Sequence, residues 1–261
     1  MDSETSPGIG VRLDSREGGE IAFVTVDNRR KLNIIGRALM RDFIAAMETL
    51  AARDDLRAVV ISGAGERAWI GGANILEMAD LDPGSAREFI TLLHHACRAV
   101  RDCPVPVIAA IRGYALGAGL ELAAACDLRI AASNAIFGMP EVKVGIPSVI
   151  EAALLPALIG WGRTRELLLF GENIDAAQAY EWGLVQRVVE AEALGDAVED
   201  YLRALFATGP QAIRIQKQLI RKWEDLTISG AIQAGIDAFA SSWENDEPRR
   251  LMQAFRDRRA R

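Results

Sequence analysis

The chain has 261 residues, half of them hydrophobic and a quarter charged, an ordinary globular balance with length for one large core and an appendage. Its 36 acidic side chains against 30 basic ones leave a net charge of −6, which argues against bulk nucleic-acid binding. Three cysteines without CxxC spacing argue against a disulfide frame or zinc site and for a reducing, cytoplasmic setting. No apolar run reaches the ~18 residues of a membrane span, and residues 1–8 lack the apolar stretch of a signal peptide.

Residues 1–8 are expected to be a disordered lead. Apolar alternation at 11–13 and 21–26, on either side of Gly18-Gly19, predicts a hairpin. A charged loop follows at 28–33. Met40, Phe43, Ile44, Met47, Leu50 and Ala51 keep the spacing of an amphipathic helix. Residues 56–61 predict a short strand, and Trp69-Ile70 an extended piece that Gly71-Gly72 breaks. Asn74 is placed to cap a short helix through Met78, and 83–100 predicts a longer one. A β-branched apolar run, 105–111, leads into Gly113-Tyr114-Ala115-Leu116-Gly117-Ala118-Gly119 and a helical run at 120–126. Strands are expected at 127–131 and 136–137, and two helical stretches within 150–170 around Gly160-Trp161-Gly162. Asp175 caps a helix to Trp182, and 184–189 is the last strand. Beyond it the pattern is helical only, at 190–207, 210–222, 227–243 and 246–258, with Gly209-Pro210 as a clean break. The composition change divides the chain into a core, 1–190, and a helical region, 191–261. Strands alternating with helices imply an α/β layer architecture. The helical region is expected to form a small bundle or to swap onto a neighbour.

Two turns rich in Gly and Ala, Gly71-Gly72-Ala73 and Gly117-Ala118-Gly119, carry residues too small to block access to their backbone N–H groups. Two such donors converging on one oxygen make an oxyanion hole; separately, each is a tight turn with small-residue packing. Neither turn matches a phosphate loop. Glu121 and Glu141 are carboxylates in apolar surroundings. Burial and mutual repulsion raise the pKa of one member of such a pair, which can then divide acid and base roles near neutral pH. The alternative is that each meets an Arg or Lys. His94 and His95, the only histidines, sit in the 83–100 helix without a nucleophile motif and read as surface or partly packed residues. No metal-ligand spacing is present. The C-terminal end is basic, with Arg249, Arg250, Arg256, Arg258, Arg259 and Arg261. It reads either as a solvated helix face or as a contact with an anionic ligand or neighbouring subunit.

With the stretches Glu66 to Met78, Ile111 to Ala123, Cys126-Asp127-Leu128-Arg129, Phe137-Gly138-Met139-Pro140-Glu141 and Asp175 to Val185, the chain resembles the enoyl-CoA hydratase/isomerase (crotonase) family over nearly its whole length. The resemblance implies a crotonase-like repeated ββα superhelix with a C-terminal all-helical trimerisation region, as a homotrimer or a hexamer built from two trimers. It implies an acyl-CoA thioester as substrate, coenzyme A being part of that substrate, and no metal or other cofactor. The family's oxyanion-hole amides fall on Ala73 and Ala118, and the hydratases' two catalytic glutamates on Glu121 and Glu141. Both glutamates being present favours hydration of a 2-enoyl-CoA, a hydro-lyase reaction, over isomerisation, for which relatives generally use one carboxylate. In the implied reaction Glu121 helps activate water for attack at C3 and Glu141 delivers the proton to C2. The competing readings are an isomerase, another crotonase-type reaction, or a non-catalytic or RNA-binding relative.

Contacts with coenzyme A are implied for Lys31 and Leu32, for Arg67 and Ala68, and for Phe255 and Arg258 of a neighbouring subunit. The chain departs from the family pattern at three places. Asn74 replaces a common Asp, and Arg29 a common Pro. Gly145-Ile146-Pro147-Ser148-Val149-Ile150-Glu151-Ala152-Ala153 replaces the usual Gly-rich run that lines the acyl pocket. Val149 and Ile150 are expected to narrow that pocket and Glu151 to add a carboxylate.

Overall fold

A computed structural model describes residues 6–259 of the chain. Of the expected disordered lead, residues 1–5 lie outside the described residues, as does Arg261 of the basic end. Gly8, placed in that lead from sequence, instead begins a strand, because it pairs with Asp27 through backbone groups that need no side chain. β1 (Gly8–Arg16) and β2 (Gly19–Asp27) form the predicted hairpin, with Gly18 at φ 93° in the turn.

The chain then alternates: α1 (Arg37–Ala51), β3 (Leu56–Gly63), β4 (Ala68–Ile70), α2 (Ile75–Met78), α3 (Pro83–Asp102), β5 (Val107–Ile111), β6 (Tyr114–Leu116), α4 (Ala118–Ala125), β7 (Leu128–Ala132) and β8 (Ile136–Gly138). The ββα unit repeats. The first strand of each unit, β3, β5 or β7, joins one sheet, and the second, β4, β6 or β8, joins another. With α5 (Leu155–Phe170), β9 (Ile174–Asp175), α6 (Ala176–Glu181) and β10 (Arg187–Val189), the large sheet has the order β1-β2-β3-β5-β7-β10 and the small sheet β4-β6-β8-β9. Apart from the β1–β2 hairpin, the large sheet is parallel.

Strands buried on both faces need two cores. One face of the large sheet (Val24, Val59, Val107, Ala131) packs with α1, α3 and α4 through Met40, Phe43, Met47, Phe89, Leu93 and Leu120. The other face (Ile21, Ala58, Val60, Ile108, Ile130) is covered by α7 (Leu194–Phe206) through Leu194, Ala197, Val198 and Leu202. The remaining helices are α8 (Pro210–Trp223), α9 (Ile228–Ser241) and α10 (Glu247–Arg259). Lys217 of α8 is buried against the core. Its Nζ donates to Asp127 Oδ2 at 2.6 Å and to the Val105 carbonyl at 2.9 Å.

Two further sequence expectations change. β6 forms inside the Gly-rich stretch, where local propensity is low, because β4 and β8 pair with it on either side. The strand expected at 184–189 shortens to β10, since the Leu184 and Val185 amides bond the Ala179 carbonyl in a turn.

Candidate active site

Three adjacent parallel strands, β4, β6 and β8, end at one edge of the small sheet. Each is followed by a segment singled out from sequence: Gly71-Gly72-Ala73, Gly117-Ala118 and Met139-Pro140-Glu141. The parallel register brings together residues far apart in the chain, as is general at the C-terminal ends of parallel strands.

The directions of two amides follow from backbone bonds. Ile35 donates to the Gly72 carbonyl at 2.9 Å and accepts from Asn74 N–H at 2.9 Å. In a trans peptide the N–H is opposed to the preceding carbonyl, so Ala73 N–H points away from Ile35, toward the side where β6 runs. Likewise the Gly117 carbonyl accepts from Glu121 N–H at 3.0 Å inside α4. Ala118 N–H therefore points outward from the start of the helix, among amides without an intrahelical partner. Gly117 has φ 52°, and a Cβ there would overlap Glu141 Oε1. Gly119 allows α4 to lie against the Ile70 carbonyl, which a Cβ would overlap. These glycines let strand, helix and carboxylate close on one point.

Glu121 is in the first turn of α4 and is 4% exposed. Its Oε1 is buried with no hydrogen-bond partner. Burial first, then the charge of Glu141 and after it that of Glu151, together raise its pKa to about 8, against the backbone N–H groups of Ala152 and Val149, which favour the anion. Glu141 lies on the 3-10 turn Pro140–Val144. Burial raises its pKa also, opposed by the Ser148 hydroxyl, which donates to Oε2 at 2.9 Å. Glu121, the more deeply buried of the two, therefore keeps the pair's last proton. In place of the Arg or Lys partner of the sequence alternative, the groups that act on the two carboxylates are each other, Ser148, Glu151 and backbone amides.

The segment that departs from the family pattern carries a feature the sequence only hinted at. Glu151 is buried on the 3-10 turn Ile150–Leu154, and His94 Nδ1 lies 2.9 Å from its Oε1. His94 was read from sequence as a surface or partly packed side chain. It is half-exposed and tied to a carboxylate 57 residues away, a pairing that no local motif announces. Ile150, just before Glu151, has φ 37°, an unfavourable conformation for a β-branched residue that costs about 1–3 kcal/mol. Val149 is exposed and Ile150 half-buried at this edge.

The expected coenzyme A residues divide into two groups. Leu32 and its loop dock on the site: the Leu32 carbonyl accepts from Gly71 N–H at 2.8 Å. Buried Asn33 donates from Nδ2 to the carbonyls of Ala64 and Ala68 at 2.9 and 2.8 Å. Lys31 and Arg67 are exposed beside this junction, and Ala68 is buried in β4. Phe255 and Arg258 lie instead on exposed α10, which packs within the chain on Ser242–Glu244 and, through Glu247, on the amides of Gln211 and Ala212. Among the described residues no cluster of His, Cys, Asp and Glu suited to a metal ion occurs. No helix among them is long and apolar enough to cross a membrane.

Known proteins are similar to this chain in sequence and in fold. The chain is 32% identical to the short-chain-enoyl-CoA hydratase of Clostridium acetobutylicum, over 92% of this chain and 93% of that one. It is also 32% identical to the crotonyl-CoA hydratase of Syntrophomonas wolfei, again over 92% and 93%. The crystal structure of an enoyl-CoA hydratase from Bacillus anthracis superposes with a TM-score of 0.89 at 30% identity, covering 95% of this chain and 96% of that one. The sequence profile described as enoyl-CoA hydratase/isomerase matches residues 16–261. From the repeated ββα units to the carboxylates at the strand ends, the chain belongs to the enoyl-CoA hydratase/isomerase family.

Proposed function

We propose that the protein is an enoyl-CoA hydratase, adding water reversibly across the C2=C3 bond of a 2-enoyl-CoA thioester. The observation that carries this reading is the pair of acids, Glu121 and Glu141, meeting at the start of α4 beside the outward amides of Ala73 and Ala118. In this reading the thioester carbonyl oxygen accepts from both amides. Negative charge that gathers there when oxygen adds to C3 is stabilised by fixed donors that need not reorganise. The two carboxyl groups hold one water over the double bond. Hydration needs one base and one acid, so the pair works while it holds a single proton. With that proton on Glu141, Glu121 removes a proton from water, oxygen bonds to C3, and Glu141 protonates C2. Dehydration reverses both transfers. In the empty site the proton rests on Glu121, and it reaches Glu141 through the shared water.

In the same reading Lys31, Leu32 and Arg67, beside the junction of the 29–33 loop with β4, and the backbone of buried Ala68 would serve coenzyme A. Phe255 and Arg258 are proposed to serve the site of a neighbouring copy. The exposed residues Ile228, Ile232, Ile236 and Phe239 of α9 supply the apolar face that a trimer, or a hexamer of two trimers, would cover. The chemistry calls on no metal or redox group, and the buried thiols of Cys97, Cys103 and Cys126 suit a reducing, cytoplasmic setting.

The test is loss of the conjugated thioester absorbance of crotonyl-CoA. Glu121→Gln and Glu141→Gln should each lower turnover by about 10²–10⁴-fold. Near-normal turnover in either variant refutes the assignment. Inertness of the wild-type chain toward crotonyl-CoA, with conversion of a 3-enoyl-CoA, would move it to isomerisation.

A further inference from the structure

Hydration as described uses two carboxylates, and the site contains a third. Glu151 is nearly as buried as Glu121 and sits on the 3-10 turn that packs against both α4 and α3. Among the described residues its ion-pair partner is His94, whose half-exposed ring holds Oε1 at 2.9 Å. Oε2 of Glu151 and Oε1 of Glu121 are both buried without hydrogen-bond partners. A buried carboxylate with one oxygen unsatisfied is a poor way to fill space, since an apolar residue of similar size would pack without that cost. The strained Ile150 sets the turn so that Val149 and Ala152 present their amides to Glu121 while Glu151 presents charge.

We propose that the Glu151–His94 pair is a positioning unit of this site, acting on Glu121 across the contact between α4 and the 3-10 turn and controlling when Glu121 releases the pair's last proton. The proposal rests on the hydratase reading. The titratable groups facing Glu121 and Glu151 are Glu141 from the Pro140–Val144 turn and His94 and Cys97 from α3, the thiol held up by burial and then by both carboxylates. β4 brings no ionisable side chain. The arginines of α5 are turned elsewhere, Arg163 over the Trp182 ring and Arg165 over Trp161. No cation therefore intervenes between the two acids among these groups, and like charge across the contact opposes ionisation of Glu121.

Glu151→Gln removes the charge and keeps the shape, and Glu151→Asp keeps the charge. The alkaline limb of the kcat/KM profile for crotonyl-CoA should move to lower pH by roughly half to one unit in Glu151→Gln. It should stay near its wild-type position in Glu151→Asp, and KM should change little in both. His94→Asn, which takes away the ion-pair partner of Oε1 and leaves the Glu151 charge unbalanced, should move the limb to higher pH, opposite to Glu151→Gln. The direct readout is the carboxylic-acid carbonyl stretch of Glu121 in the unliganded protein, identified by its loss in Glu121→Gln. Its midpoint against pH should fall in Glu151→Gln. That signal needs no turnover, so failure of the wild-type chain to hydrate crotonyl-CoA refutes the hydratase reading alone. An unmoved midpoint refutes the role given to Glu151. A rise in KM with limb and midpoint unmoved also overturns it, and makes Glu151 a wall of the acyl pocket. An unmoved limb in His94→Asn removes His94 from the unit.

Discussion

Replacing Glu121 by Gln should change how stability depends on pH. In the native protein Glu121 holds its proton up to about 8, against an ordinary value of 4.5. Between those values the folded chain binds a proton that the unfolded chain has released. The stability associated with that proton is fully present below 4.5 and is lost as pH rises through about 8. Each unit of the window is worth about 1.4 kcal/mol, so between pH 6 and pH 9 the wild-type chain should lose ~3 kcal/mol through this group. Glu121→Gln has no proton to release and should lose nothing by this route. Guanidinium unfolding of both proteins, at one protein concentration and at both pH values, measures the difference. Glu121→Gln should gain ~3 kcal/mol on the wild type at the higher pH relative to the lower. An equal stability difference at pH 6 and pH 9 refutes the reasoning, whatever the activity, because it means that Glu121 is already ionised at pH 6.

Other perturbations test neighbouring parts of the same arrangement. Ser148→Ala removes the hydroxyl that donates to Glu141, so Glu141 should bind its proton more readily and the acid limb of the hydration profile should move to higher pH. Gly119→Ala drives a methyl group into the Ile70 carbonyl; thermal unfolding should show a loss of about 1–3 kcal/mol, with a fall in kcat from the displaced start of α4. Lys217→Met leaves Asp127 without its buried cation and releases α8 from the Val105 carbonyl, a loss of about 3–5 kcal/mol that chemical denaturation should detect.

Much of the fold is legible along the chain because its signals are local. The helix containing Met40, Phe43 and Met47 shows its buried face in its own spacing, and all three side chains are buried on α1. Asn74 and Asp175 cap helices through bonds to amides two or three residues on, and such bonds need no tertiary context. β6 is the opposite case. Tyr114-Ala115-Leu116 has no strand signature of its own and becomes a strand through partners more than twenty residues away on either side. The boundaries of the last strand likewise depend on a turn that ties Leu184 and Val185 to Ala179.

The site divides along the same line. By itself the sequence determined the residue types at Gly71 to Ala73, Gly117 to Gly119, Glu121 and Glu141, because small residues and isolated acids in apolar runs stand out by composition. Only the tertiary structure decided that these segments end neighbouring strands and that Glu121 is the deeper acid. It alone brings His94 across 57 residues to Glu151. Desolvation and like-charge repulsion depend on what surrounds a carboxyl group in three dimensions, and helices and turns distant in the chain supply those surroundings here.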